Sequence, residues 1–472
     1  MAKAKKNEKA QPKVIRMEKF SNEGPIAEET IKLMQMCIQT DTTNPPGNET
    51  ILAKKLKDYF DRENIPFLKT EIIEPLPGRG NLIVTVEGTD PNGKIYGFAS
   101  HLDVVPAEPA LWKHDPFSGD ITEEAHDRFI WGRGAFDMKN VGVSFSIALL
   151  TLLREGFRPK NTIRLIFEAD EEKGGHEGMK ILVDEYWEKA KVDFLMTEGG
   201  GFEVPLKGLI AIQIGEKGVA QTIIKAKGVS GHGSAPDSYE KFAMFKLIEF
   251  LNKLKKIKPK IDINQEYIWT VNALPVPSLV KFLLKRKTLL IPLLKMVERL
   301  TKIQLTKLII PLASDTIAPT VFRAGQKENV ISPTAELILD VRILNGHTQQ
   351  MVWDYLKQKI GTKVAKQIEF ENFDYRIPTT TPPGTDYYDL IYETLKEMKP
   401  NSKLLPLMST GSTDMRYYRL KGIPCYGFHL LLKDEDISLN EMASLPHSEN
   451  ERISVSNLMI PLEYYYRFMK KL

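Results

Sequence analysis

Asp170, Glu171 and Glu172 stand side by side where an apolar run containing Ile163, Leu165, Ile166 and Phe167 stops. The run favours a buried strand, and Lys173, Gly174 and Gly175 close it with a turn. Three adjacent carboxylates repel one another, and a strand terminus has no need of them. A divalent cation relieves the repulsion by binding one carboxylate while a neighbour stays free as a base. An isolated acidic turn is ordinarily just solvated. What gives this one weight is the set of polar residues that other strands end on.

A pair of cations needs mixed imidazole and carboxylate ligands with one shared bridge. His101 offers an imidazole, Asp137 two oxygens that can bridge, and Glu172 and Glu198 the opposite sides. A second imidazole is wanted, and the chain has eight histidines. His114, His126 and His176 lie in polar loops, and His347 and His429 in later elements. His447, in the polar run LPHSENERI ahead of a helix, suits a ligand best. Asp103, two residues after His101 on a strand, points to the same side and can accept the other imidazole N–H. Glu171 is then left as the uncoordinated base, able to take a proton from water attacking a carbonyl and return it to the leaving nitrogen.

These residues need a scaffold that brings them to one edge. Pro25–Thr40 and Ile51–Glu63 carry helical spacing, and Asn81–Glu87 and Lys94–His101 read as strands separated by DPNG. Met138–Glu155 is a strong helix with Gly156 just past its end. A helix around Glu177–Lys189 and a strand Val192–Thr197 follow the central strand. Such alternation gives an α/β sheet, whose ligands gather beyond the carboxyl ends of strands. His101, Asp103, Glu171, Glu172 and Glu198 all fall at such ends, and Asp137 just before a helix.

After Gly215 the pattern becomes β-α-β-β-α-β, a small α+β domain inserted within the first. The boundaries expected are 20–215 and 376–472 for the catalytic domain and 216–375 for the insert. The insert carries its own leucine-rich basic segment at about 256–315. Across 279–312, Lys281, Lys285, Arg286, Lys287, Lys295, Arg299, Lys302 and Lys307 face Glu298 alone, and prolines 292 and 311 should break the segment into short helices. It reads either as a cover over the cleft or as a basic amphipathic face for a membrane or an acyl chain.

Composition sets the remaining bounds. With 472 residues and 42% hydrophobic content the chain can bury a large core. Lys plus Arg (65) nearly balances Asp plus Glu (61), which gives no reason to expect nucleic acid as a partner. Cys37 and Cys425 form no disulfide framework and read as free buried thiols. The first ~20 residues are polar and read as a frayed tail, not a secretory signal. No apolar run approaches the roughly 18 residues of a membrane span, so a soluble cytoplasmic protein is expected. No G-x-S-x-G is present, and Gly132-Arg133-Gly134 runs into Asp137 where a dinucleotide loop wants a third glycine.

SHLDVVP, GRGAFDMKN, EADEEKGG, TEGGG, GVSGHGSAP, GSTDMR and PHSENER, in that order, resemble the M20 metallopeptidases. The leucine-rich segment followed by SDTIAPTVFRAGQKENVISP looks most like the branch of carboxypeptidase S and the N-fatty-acyl-amino-acid synthase/hydrolases. The resemblance implies a zinc-exopeptidase-like three-layer catalytic domain with a ferredoxin-like lid, and a homodimer formed through that lid. It implies two zinc ions, with cobalt or manganese as alternatives, held by His101, Asp137, Glu172, Glu198 and His447, and catalytic roles for Asp103 and Glu171. It further implies that His232 stabilises the oxyanion, commonly in the partner's site, while Asn329, Arg416, Gly411 and Ser412 hold the substrate. Many relatives have Asp before the Glu of TEGGG; Thr197 stands there, leaving Glu198 as the one carboxylate. The activity implied is cleavage of the amide of an N-acyl amino acid, with a plain exopeptidase or a non-catalytic binding homologue as rivals.

Overall fold

The computed structural model describes residues 14–204, 206, 208–301 and 305–472. The chain divides into two compact units. The first takes the chain up to Ile214 together with Thr381–Pro406 and Thr413–Leu472, and the second takes Gly215–Thr380 with Leu407–Ser412.

The first unit is an α/β fold on a mixed sheet. Its strands run in the order Leu68–Ile73, Asn81–Val86, Thr162–Glu168, Ile95–His101, Phe194–Thr197, Cys425–Gly427 and Leu209–Glu216. The four central strands, from Thr162–Glu168 to Cys425–Gly427, are parallel, and the flanking pairs are antiparallel. Parallel strands are covered on both faces, and successive side chains alternate between the two cores. Ala99 and Ile166 pack with Met179, Leu182, Met415 and Tyr418 on one side. Phe98 and Phe167 turn the other way, onto Phe145 and, for Phe98, Tyr465 and Phe468. Phe145 lies on the helix Lys139–Arg154, and Tyr465 and Phe468 on the helix Val455–Met469. Helix, sheet and helix make three layers. Lys139–Arg154 is buried over nearly its whole length, which is why its sequence is apolar all round rather than striped.

The expected tail falls partly on residues 1–13, outside the described residues. Beyond them the expectation fails: the Ile15 N–H donates to the Met398 carbonyl at 2.8 Å, and Phe20 is fully buried against Tyr466. The buried aromatic, the Met17 N–H on Glu463 at 2.9 Å and the Lys19–Glu155 pair at 2.6 Å dock a short polar segment that composition reads as frayed.

The second unit carries a four-stranded antiparallel sheet in the order Thr316–Ala324, Thr334–Ile343, Gly218–Lys227, Ile368–Arg376. One face is apolar, with Ile224, Leu337, Leu339 and Val341 buried under the helices Ala243–Leu254 and Gln349–Ile360. Between the first of these helices and Thr316 lies a helical segment with a separate core of Tyr267, Val271, Leu284, Leu290, Leu294 and Ala313. Its helices include Gln265–Ala273, Ser278–Leu284 and Lys287–Thr301. Pro292 does not break it as expected but sits inside Lys287–Thr301. Burial of Leu290 and Leu294 outweighs the ~3 kcal/mol that an internal proline costs, and the break falls at Lys285 instead. Lys302, counted among the basic residues, lies outside the described residues.

Candidate metal centre

His101 closes the strand Ile95–His101 and is 1% exposed. Asp137 precedes the helix Lys139–Arg154, and Glu198 follows the strand Phe194–Thr197. Glu172 lies in the turn after Thr162–Glu168, and His447 in the loop before the short strand Arg452–Ser454. The expected helix follows His447 as Val455–Met469, and the short strand before it pairs with Arg128–Trp131.

These five side chains come together. His101 Nε2 lies 3.2 Å from Asp137 Oδ1, and His447 Nε2 lies 3.2 Å from Asp137 Oδ2 and 3.1 Å from Glu172 Oε2. Ligand atoms of His101, Asp137 and Glu198 fall within 4.8 Å of one another, and so do those of Asp137, Glu172 and His447. Asp137 belongs to both groups, one oxygen facing each imidazole.

The electrostatics fit cations. Burial and then the charge of Asp137 push the Glu198 carboxyl up to about 8. Hydrogen bonds to Asp137 and Glu172 raise His447 to about 10. Burial alone would raise the Asp137 carboxyl, but its bonds to His101 and His447 hold it well below the usual range. Glu172 Oε1 is buried with no protein partner. Three acids and two imidazoles, with an orphaned carboxylate oxygen among them, form a donor set suited to borderline divalent ions such as zinc.

Glu171 sits beside this cluster in a pocket with His101, Glu168, Glu198 and Asp414, and burial raises its carboxyl well above the ordinary range. Its position is set by Asp103. That carboxylate accepts the backbone N–H groups of Glu171 and Glu172, both at 3.1 Å, and the Asn44 amide at 2.8 Å. The expected carboxylate partner for the His101 ring is corrected by the geometry. Nδ1 meets the backbone carbonyl of Asp103 at 2.9 Å, with the nearest carboxylate oxygen at 3.5 Å. The strand ends at His101, so strict alternation no longer aims the Asp103 side chain.

Asp170, first of the acidic run, does not join the cluster. It takes a left-handed conformation (φ 69°), accepts the Glu177 N–H at 2.9 Å and lies 3.4 Å from Arg79. Arg79 also pairs with Glu49 at 2.6 Å and Glu177 at 2.8 Å. Asn44, Arg79 and Glu49 therefore brace the acidic turn from the amino-terminal part of the chain, with no sequence signal beyond their polarity.

Two further supports escaped sequence reading. Glu451 Oε1 accepts the N–H groups of Phe136 at 2.7 Å and Asp137 at 2.9 Å, and its other oxygen pairs with Arg133 at 2.7 Å. The glycines after Glu198 are needed for close approach: a Cβ on Gly200 would stand 2.2 Å from the Gly427 carbonyl, and one on Gly201 (φ 87°) 1.9 Å from that of His429. Glu198 is thus presented by a backbone pressed against the neighbouring strand.

The other implied site residues are divided between the two units. Arg416 is buried in the first unit, its Nη2 donating to the Gly174 carbonyl at 2.5 Å and to the Tyr417 hydroxyl at 2.6 Å. In the second unit, exposed His232 lies 2.7 Å from Ser234 Oγ and opposite Val330 in a short antiparallel pair. The carbonyl of Asn329 accepts the Gly233 N–H at 2.9 Å, so His232 and Asn329 occupy one corner of that unit. Gly411 donates to Ser409 Oγ at 3.0 Å, with Ser412 next in the chain.

Residues 97–471 match peptidase family M20/M25/M40. The chain is 27% identical over 474 residues to the human N-fatty-acyl-amino acid synthase/hydrolase PM20D1, covering 96% of this chain and 89% of the relative. It is 27% identical over 488 residues to carboxypeptidase S of Saccharomyces cerevisiae, covering 92% and 81%. The fold is similar to the crystal structure of the M20 family metallo-carboxypeptidase Sso-CP2 from Sulfolobus solfataricus, with a TM-score of 0.68 and 18% identity over 94% of this chain and 98% of that one.

Proposed function

The chain belongs to peptidase family M20/M25/M40, whose members are metal-dependent hydrolases of amide bonds, and from that premise we propose that it is a dizinc hydrolase of N-acyl amino acids, long acyl chains among them. The observation that carries the dinuclear part is Asp137, whose two oxygens each face a different imidazole at 3.2 Å.

In this reading His101, Asp137 and Glu198 would hold one ion, and Asp137, Glu172 and His447 the other, with cobalt or manganese as alternatives to zinc. Bound divalent ions would supply Lewis-acid polarisation of the amide carbonyl and a lowered pKa for water. Glu171 takes a proton from the attacking water as the new C–O bond forms, then gives it to the nitrogen as the C–N bond breaks. The products are a carboxylic acid and an amine. Burial holds the Glu171 carboxyl above the ordinary carboxylate range, so it keeps an abstracted proton more readily than a solvated carboxylate would. Asp103 holds the turn that carries Glu171 in place through the two N–H groups it accepts.

His232, Asn329, Arg416, Gly411 and Ser412 are assigned to the substrate's carbonyl and carboxylate by their motifs alone. The second unit is assigned as a lid through which two chains pair. The acyl reading draws on the name of the human relative, and the rival reading as a carboxypeptidase or dipeptidase draws on the yeast enzyme. The buried free thiols of Cys37 and Cys425 support a reducing, cytoplasmic setting.

The test is hydrolysis of N-oleoyl-phenylalanine against an unmodified dipeptide, with metal content measured on the same preparation. Preferred turnover of the acyl substrate at two metal equivalents supports the proposal. Preference for the dipeptide selects the rival, and no turnover of either with both metals bound overturns the enzymatic reading.

A further inference from the structure

The helical segment of the second unit folds on one face and leaves another apolar. In Lys287–Thr301, Leu290 and Leu294 are buried in the segment's own core, whereas Leu289, Met296 and Leu300 are 43%, 52% and 78% exposed. At about 100° per residue the three exposed residues fall within ~40° of one another, and the buried pair lies ~120° away. Lys295 and Arg299 lie about 100° to the other side of the exposed stripe. One helix thus shows three stripes: a buried one, an apolar one in solvent and a basic one.

The preceding helix repeats the theme. Leu279 and Phe282 are 68% and 51% exposed and one turn apart on Ser278–Leu284, and the Arg286 guanidinium lies 4.2 Å from the Phe282 ring centroid. Between residues 278 and 312, Glu298 is the sole acid against eight Lys and Arg. Glu298 is itself occupied by the N–H and hydroxyl of Thr306, both at 2.6 Å. At the base of the segment, Ile261 bridges Ser314 and the Asp262 N–H donates to the Ala313 carbonyl at 2.7 Å. The segment is held at its neck and folded by its own core, so its fold makes no use of the outer stripe.

We propose that this stripe docks the protein in the plane of a membrane surface rich in anionic lipid. Exposed leucines bordered by cations match the boundary between acyl chains and anionic headgroups. A second copy of the chain on the same stripe would set like charges against each other. No helix among the described residues is long and apolar enough to cross a membrane, so the contact lies on the surface. The inference does not depend on the substrate proposed above.

The experiment is vesicle co-sedimentation of the full chain at low salt, using equimolar phosphatidylcholine and phosphatidylglycerol against phosphatidylcholine alone. The wild type pellets with the anionic vesicles, and added salt weakens the partition. Lys295→Glu with Arg299→Glu lowers partition on the order of tenfold or more. Leu289→Gln, Met296→Gln and Leu300→Gln together weaken it on a similar scale. Both variants retain wild-type hydrolysis of a small soluble substrate, which checks the fold. Met296→Trp gives a second readout, a blue shift of its fluorescence on anionic vesicles only. The proposal is overturned if the wild type stays in the supernatant, or if the glutamine variant pellets like wild type. It is equally overturned if the glutamine variant instead splits a wild-type dimer that ignores vesicles.

Discussion

Glu451 takes the backbone N–H of Asp137 at 2.9 Å across 314 positions of sequence. Its other oxygen is bound to Arg133, and both side chains are buried. Glu451 acts through the main chain, fixing the segment that aims the two Asp137 oxygens at His101 and His447. Glu451→Ala leaves two N–H groups without an acceptor and a buried guanidinium unpaired, a loss of about 3–5 kcal/mol. Glu451→Gln keeps a carbonyl oxygen for both N–H groups. Thermal melting and elemental analysis should show the alanine variant markedly less stable and poor in metal, with the glutamine variant nearer wild type. Equal metal content in the alanine variant would show that Asp137 is positioned by other means.

Glu171 is assigned a proton rather than an ion, which separates it from its neighbour Glu172. Glu171→Gln keeps the shape and the hydrogen bonds of the turn but cannot take a proton. Its kcat should fall by about 10²–10⁴ while bound metal stays at the wild-type level. A variant that loses metal in step with activity would move Glu171 into the ligand set.

His447 is reached by solvent, its side chain 54% exposed, so its removal should spare the fold. His447→Ala is expected to lose metal and activity with little change in melting temperature. Chelation of the wild type should abolish hydrolysis, and added zinc should restore it in the wild type but not in the variant. Zinc content equal to wild type in His447→Ala would remove this residue from the centre.

The convergence of His101, Asp137, Glu172 and Glu198 was legible because parallel strands separated by helices must end at one edge. Apolar runs bounded by turn signals and helical patterns locate those ends to within a residue or two, as for Ile95–His101 and Lys139–Arg154. His447 had only its polar neighbours to mark it. Glu451 stood inside PHSENER with no role to read from it, and Arg79 and Asn44 carried no pattern at all, since each works through a contact between distant segments. Pro292 misled for the opposite reason. A local rule placed a helix break there, and the burial of Leu290 and Leu294 overrode it.

His347 supplies the pH-dependent prediction. It lies in the second unit, with Nδ1 2.8 Å from Asp315 and Nε2 3.2 Å from Asp262, the two acids beside the neck of the helical segment. Lys287 also pairs with Asp262 at 2.7 Å, and the Leu344 N–H donates to Asp315 at 2.8 Å. The hydrogen bond to Asp315, and then its charge and the contact with Asp262, raise the folded pKa of His347 above its ordinary value. A raised histidine stabilises the fold fully below its unfolded pKa of about 6.5, and the contribution fades as pH climbs through the folded value. His347→Gln should therefore cost most at acid pH, about 1–2 kcal/mol, and progressively less in alkali. Melting temperatures of both proteins across about pH 5–9 measure the gap. A gap that stays constant or widens with pH would mean that His347 holds the neck as a neutral hydrogen-bond donor rather than as a cation.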